Sequence, residues 1–468
     1  MVFSSLSFLL LFLPLLLALY FVGRGLKWRN AVLLLFSLLF YAWGEPKWIL
    51  CMLGATIVNY AAAFGIDRAK SVRTKRLFLA LGVIATLGAL FWFKYASFFF
   101  TTVFSLFGAK SPVSEVRLPI GISFYTFQIL TYAVDVYRGK VPVQKNFARL
   151  LLYVSCFPQL IAGPIVQYAD IAAQLDDRTA TMTDFSEGFG RFSVGLAKKV
   201  LLANLCGKTV ELLLPEGAAL SVAGAWLSGL MYTFQIYFDF SAYSDMAIGL
   251  GRVFGFTYRE NFRYPYISDS VSEFWRRWHI SLGSFFRDYV YIPLGGNRNG
   301  AWKTVRNLLI VWILTGLWHG ASWNFVVWGL YYGLLILLER FVLARALPRI
   351  PKVIRILVTF FFAMTGWILF YHTSLSAGFG HLLALFGVGV QGTDAGVKEV
   401  LSKYTVLPLI AAVCSLPIVP AAKAWAEKRP ARKTALNIAV PIFETALFVL
   451  SLAFLVGQSY NPFIYFRF

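Results

Sequence analysis

The sequence is poor in charge, in cysteine and in histidine, and each scarcity removes a class of protein. Charged residues fill 14% of 468 positions, against about 25% in soluble domains, so a water-soluble body of this size is excluded. The four cysteines, Cys51, Cys156, Cys206 and Cys414, stand far apart in apolar surroundings. They lack the paired spacing of a zinc or redox site and read as small core residues. No His-x-x-x-His or Glu-x-x-x-His helix signature occurs, so no metal is expected. Walker, dinucleotide and nucleophile-elbow glycine motifs are missing too. Acids are outnumbered by bases: 22 against 43 Lys and Arg, a formal charge of +21. The basic residues fall between apolar runs, where anionic head groups and the positive-inside rule select them. The aromatics sit inside or at the ends of those runs rather than beside wet basic surface, so no nucleic acid partner is expected.

What is present is apolar: 59% hydrophobic residues and a mean hydropathy of +0.67. The fold class is therefore an all-α, polytopic integral membrane protein. Candidate spans are 6–22, 31–43, 48–66, 77–95, 118–136, 147–166, 190–213, 221–239, 308–338, 353–371, 404–420 and 437–457. Run 96–107 is expected at an interface, and the Gly-interrupted run 242–256 as a half-span. With re-entrant pieces this gives about 11–13 helices. Neither a linker nor an internal repeat divides the chain, so one domain, 1–468, is expected. Leu6–Val22 follows no basic stretch and is expected to be a retained first span. Basic loops 24–29, 67–76 and 138–149 fall on one face if spans alternate. That face is expected to be cytoplasmic and the N-terminus outside.

Block 273–328 departs from this plain pattern. It holds two of the four histidines, His279 and His319, each directly after a tryptophan. Phe274, Trp278, Leu282, Phe285, Tyr289 and Ile292 recur at helical spacing, with Arg276, Arg277 and Arg287 opposite. The pattern predicts one amphipathic helix over 274–292, lying in the interface. Ser272 or Asp269 with Glu273 would cap it, and Pro293 would end it. A plain surface helix with a passive His279 fits the same pattern. Run 308–338, as a single helix, would be ~46 Å long, beyond the ~30 Å hydrocarbon core. Gly316, Gly320, Ala321 and Ser322 surround His319, so two pieces or a sharp bend are expected there. Irregular backbone at membrane depth is tolerated where it is buried in protein or lines a wet cavity. Asp239 and Asp245 are costly in a span unless paired. Their expected partners are arginines of the amphipathic helix or a histidine held in one tautomer. His372 and His381 flank a turn and receive no role.

A Trp-flanked histidine in a broken span, preceded by Glu273-Phe-Trp-Arg-Arg-Trp-His-Ile-Ser-Leu, resembles the membrane-bound O-acyltransferase (MBOAT) family. Tyr291-Ile-Pro-Leu-Gly-Gly-Asn-Arg298 and Leu317-Trp-His-Gly-Ala-Ser-Trp323 are similar to its bacterial alginate O-acetyltransferase branch. So are Met1-Val-Phe-Ser-Ser, Phe124-Tyr-Thr-Phe-Gln-Ile, Phe157-Pro-Gln-Leu-Ile-Ala-Gly-Pro164 and the ending Asn461-Pro-Phe-Ile-Tyr-Phe-Arg-Phe468. The resemblance spans essentially the whole chain. It implies a funnel-shaped helical bundle in the bacterial inner membrane, passing an acyl group from a cytoplasmic donor to an exterior acceptor. It places the family's invariant histidine at His319, as general base, and the second active-site position at His279, holding the donor carbonyl or oxyanion. The donor expected is acetyl-CoA, used as substrate, with no tightly bound cofactor. Arg276, Arg277 and Arg298 are assigned to its phosphates. The other expected partners are membrane lipids, a polysaccharide acceptor such as alginate and a periplasmic acetyltransferase.

Other readings stay open. Relatives acylate peptidoglycan, cellulose or teichoic acid, the last with D-alanine. A transporter or flippase would also carry broken helices and buried carboxylates, though matched in two halves of the chain; here the unusual features share one block. A scaffold for an export complex would leave the two Trp-His pairs without a purpose.

Overall fold

The structure is a computed structural model that describes residues 1–114, 116–215, 219–457, 460–461 and 463–464. It is helical throughout, with no strand among the described residues. Among the described residues five helices are long and apolar enough to cross a membrane: Ile49–Arg68, Val72–Ser105, Trp323–Leu343, Lys352–Tyr371 and Pro430–Gly457. A sixth span results if Leu407–Cys414 and Ile418–Ala426, bent by 55°, are taken together. Phe8–Val22 and Leu375–Ala384 are shorter apolar helices.

The chain divides into two compact units, Met1–Phe192 with Asp245–Arg259, and Ser193–Ser244 with Glu260–Phe468. In the first, Phe3, Phe8, Phe12, Phe40 and Phe157 form an aromatic core with ring centroids 5.1–6.1 Å apart. Only residues 69–71 join Ile49–Arg68 to the helix that opens at Val72, so the basic residues of 67–76 fall mostly on helix ends. The buried Asn59 amide of one helix donates to Thr86 Oγ1 of the other at 2.6 Å. Gln128 and Gln159, from the motifs beginning at Phe124 and Phe157, are fully buried, and Gln159 Nε2 donates to Tyr153 O at 2.6 Å. Asp245 is held by Arg191 at 2.9 Å.

Several expected boundaries shift. Run 96–107 continues the preceding span instead of leaving it, through a π-helical turn at Phe91–Tyr95. Run 242–256 is likewise no separate half-span, since Val222–Val253 is one helix of 32 residues. The glycines at 249 and 251 serve close packing there: a Cβ on Gly249 would stand 2.5 Å from Gly188 O. Cys156 and Cys206 are buried as expected, but Cys414 is exposed at the end of its short helix. Asp245 and Asp239 pair with Arg191 and Lys199, not with the arginines of 273–292 or with a histidine. The ending motif is described only at Asn461, Phe463 and Ile464; Pro462 and 465–468 lie outside the described residues.

In the second unit, run 308–338 does break where glycines and serine surround His319. The pieces are Ala301–His319 and Trp323–Leu338, packed antiparallel as a hairpin. Glycine sets their separation. A Cβ on Gly316 would meet Phe325 O at 2.1 Å, and one on Gly329 would meet Trp312 O at 2.3 Å. Backbone cannot move aside as a flexible side chain can, so Gly316→Ala must spread the hairpin. We expect a loss of about 1–3 kcal/mol and a reduced yield of folded protein in membranes, read by thermal unfolding after purification. An unchanged unfolding midpoint would refute the close-packing role.

Candidate active site

The amphipathic stretch is broken at the histidine it carries. Val271–Arg277 is one short helix, Ile280–Phe286 a second, and a π-helical turn Arg287–Tyr291 follows. Ser270, rather than Ser272 or Asp269, caps the first by accepting from Glu273 N at 3.1 Å. The Glu339 carboxylate adds to the cap, accepting from Ser272 N at 2.9 Å and from Val271 N. Between the helices Trp278 is extended and His279 takes φ 44°, ψ 52°, the left-handed region. For a non-glycine residue this costs about 1–2 kcal/mol, so something must hold it.

Asn261 holds it. Its carbonyl accepts from Ile280 N at 3.0 Å, and its side-chain Oδ1 accepts from Ser281 N at 3.2 Å and Ser281 Oγ at 2.9 Å. His279 Nδ1 lies 3.2 Å from the same Oδ1. Asn261 Nδ2 donates to Ser244 Oγ at 3.0 Å. Asn261, Ser244, His279 and Ser281 are buried. The periodicity argument missed the break because the apolar stripe survives it: Phe274, Trp278, Leu282 and Phe285 are all at most 5% exposed.

His319 ends the first arm of the hairpin and is 6% exposed. Its ring meets Trp318 at 5.0 Å, Trp328 at 5.1 Å and Phe370 at 5.2 Å, all near perpendicular. The Trp318 ring also stands 5.6 Å from His279. The structure thus brings the two histidines of the motif block into contact with one indole. Each borders its own cavity. His319 lines a space of about 30 Å³, with Asp239, Phe240, Trp278, Trp367, Phe370 and Ile464 among its walls, room for about one water-sized group. His279 lines another of about 200 Å³, with Arg287, Tyr291, Trp312 and Thr315. Trp278 borders both.

The arginines of this block stand in different surroundings. Arg276 and Arg277 pair with Glu273 at 3.4 and 2.7 Å, one turn along their own helix. Arg298 is exposed in the turn after Ile292. That turn uses left-handed glycines, Gly295 at φ 101° and Gly296 at φ 58°, and Asn307 Nδ2 ties it down through Leu294 O and Gly296 O. Arg287, one of the three arginines opposite the stripe, is the one that reaches the His279 cavity. Asn261, Lys199 and Ile464 were not legible as site residues. Lys199 meets the Asp239 carboxylate at 2.5 Å, and Ile464 N donates to its other oxygen at 2.9 Å. His372 and His381 form a separate pair, Nε2 to Nδ1 at 3.0 Å. No cluster of three metal-ligating side chains occurs among the described residues.

Chemically, two buried imidazoles beside small cavities suit proton transfer and group transfer shielded from water. The sequence profile of the MBOAT, membrane-bound O-acyltransferase family, matches residues 141–375, which include both histidines. The chain is 39% identical over 505 residues to "Probable alginate O-acetylase AlgI" of Azotobacter vinelandii, covering all of both chains. It is 38% identical over 526 residues, again covering both in full, to the protein of that name from Pseudomonas aeruginosa. "Peptidoglycan O-acetyltransferase" of Helicobacter pylori is 34% identical over 423 residues, 83% of this chain and 80% of that one. With its apolar, all-helical architecture, the chain belongs to the membrane-bound O-acyltransferase family and is a multi-pass membrane O-acyltransferase.

Proposed function

We propose that the protein moves an acetyl group from acetyl-CoA, taken at the cytoplasmic face of the bacterial inner membrane, to a hydroxyl of an exopolysaccharide such as alginate, directly or through a periplasmic acetyltransferase. The observation that carries the reading is the pair of buried Trp-His units set about Trp318, each imidazole walling a cavity. His319 accepts the proton of the attacking hydroxyl. The hydroxyl oxygen bonds to the thioester carbonyl carbon, the C–S bond breaks, and the proton passes to the departing thiolate. His279 contacts substrate from the larger cavity. Arg287 at its rim joins Arg276, Arg277 and Arg298 as groups for the phosphates of the donor. Membrane lipids surround the long helices.

The test is purified protein in lipid nanodiscs, given acetyl-CoA labelled in the acetyl group together with candidate polysaccharides. Label in the polymer, with one free thiol per acetyl moved, is expected for alginate. Transfer to peptidoglycan, cellulose or teichoic acid instead would replace the acceptor. Label moving across the bilayer unreacted would replace transfer by transport.

The basic loops 24–29, 67–76 and 138–149 are assigned to the cytoplasm, which puts the N-terminus outside. Single cysteines placed in each loop of a cysteine-free variant should resist an impermeant thiol reagent on intact cells and react after lysis. Labelling of loop 67–76 from outside would reverse the orientation.

A further inference from the structure

We infer that Asn261 fixes the tautomer of His279, so that this imidazole faces its cavity with a lone pair and receives an O–H, N–H or S–H group of the substrate rather than the thioester carbonyl. The backbone N–H of Ser281 can only donate, and it points at the Asn261 side chain at 3.2 Å. The amide atom there must be the oxygen, since an NH₂ would set donor against donor. The other end agrees, because Nδ2 then donates to Ser244 Oγ at 3.0 Å. An oxygen 3.2 Å from His279 Nδ1 requires that nitrogen to carry the hydrogen. The Ser281 hydroxyl does not supply it instead: its hydrogen goes to the same oxygen at 2.9 Å, nearer than Nδ1 at 3.4 Å.

A neutral imidazole has one N–H, so Nε2 is left bare. It is buried and has no hydrogen-bond partner among the described residues, while the ring lines the cavity that Arg287 and Thr315 share. The rings of Phe240 at 4.6 Å and Trp318 at 5.6 Å pack edge-on against it. Asn261 reaches the turn from residue 261 through both its carbonyl and its amide, so it sets the left-handed backbone of His279 and its protonation state together. It acts through His279 and is a positioning residue. Holding a carbonyl oxygen needs an N–H that this tautomer does not present.

The activity arm of the test rests on the proposed acetyl transfer; the spectroscopic arm does not. Histidine-labelled ¹⁵N protein in nanodiscs, with His279 signals assigned by loss in His279→Gln, should show Nδ1 protonated and Nε2 bare at neutral pH. Asn261→Asp keeps an acceptor at the same place and should keep that pattern and most of the acetyl transfer. Asn261→Leu removes the acceptor, should release the tautomer and should lower kcat/KM by about tenfold, with membrane yield retained. A protonated Nε2 in the unaltered protein overturns the inference. So does an Asn261→Leu spectrum identical to that of the parent. If the spectra behave as stated while no variant, nor the parent, transfers acetyl, it is the proposed function that fails.

Discussion

Replacing His319 by alanine is expected to lower polymer acetylation by roughly 10²–10⁴-fold, the contribution of a positioned general base, with little change in the amount of protein in the membrane. The ring is buried among Trp318, Trp328 and Phe370 and walls a cavity with room for about one water-sized group. His319→Gln keeps some volume and hydrogen bonding but cannot take a proton at neutral pH, so it should fail nearly as badly. His279→Asn should retain more activity. Its shorter amide can still exchange a hydrogen bond with a substrate in the His279 cavity, although it cannot carry a proton away. The measurement is acetate released from the polymer by mild base, normalised to protein level, in cells carrying each variant. Undiminished acetylation with His319→Ala would remove the catalytic assignment and restore the transport reading.

How far the sequence led depends on which interactions are local. The break at His319 was legible because glycines and an over-long apolar run mark it within a few residues, and the hairpin follows from them. The break at His279 was not. An apolar stripe with 3.6-residue spacing persists through one left-handed residue, and the cause lies 18 positions earlier at Asn261. The carboxylates show the same limit. Asp239 and Asp245 were recognisable as groups in need of partners, but Lys199 and Arg191 are 40 and 54 positions away. Nearby arginines of the motif block looked like partners only because they were close in sequence; they are engaged with Glu273 and Asp288. Gly316 read as part of the break, yet it sits inside the first hairpin arm and, with Gly329 of the second, sets their spacing.

Asp239→Ala is expected to destabilise the second unit by about 3–5 kcal/mol, as removal of one member of a buried ion pair does. The carboxylate is 3% exposed and the Lys199 ammonium 4%, with Oδ1 and Nζ 2.5 Å apart. The second oxygen accepts the N–H of Ile464, which closes the wall of the His319 cavity. Alanine therefore takes away both the countercharge of Lys199 and the anchor of the final turn. A control separates charge from shape. Replacing both partners together, Asp239→Leu with Lys199→Met, leaves no uncompensated charge and should cost clearly less than Asp239→Ala alone. Asp239→Asn should fall between them, because its amide oxygen can still accept from Ile464 while the charge is lost. Thermal unfolding in one fixed detergent, followed by near-ultraviolet circular dichroism of the tryptophan-rich core, ranks the three. Carboxypeptidase digestion adds a local readout: segment 460–464 should be trimmed faster in Asp239→Ala than in the parent. If the double variant unfolds at a lower temperature than the single, the pair contributes through packing and not through charge compensation.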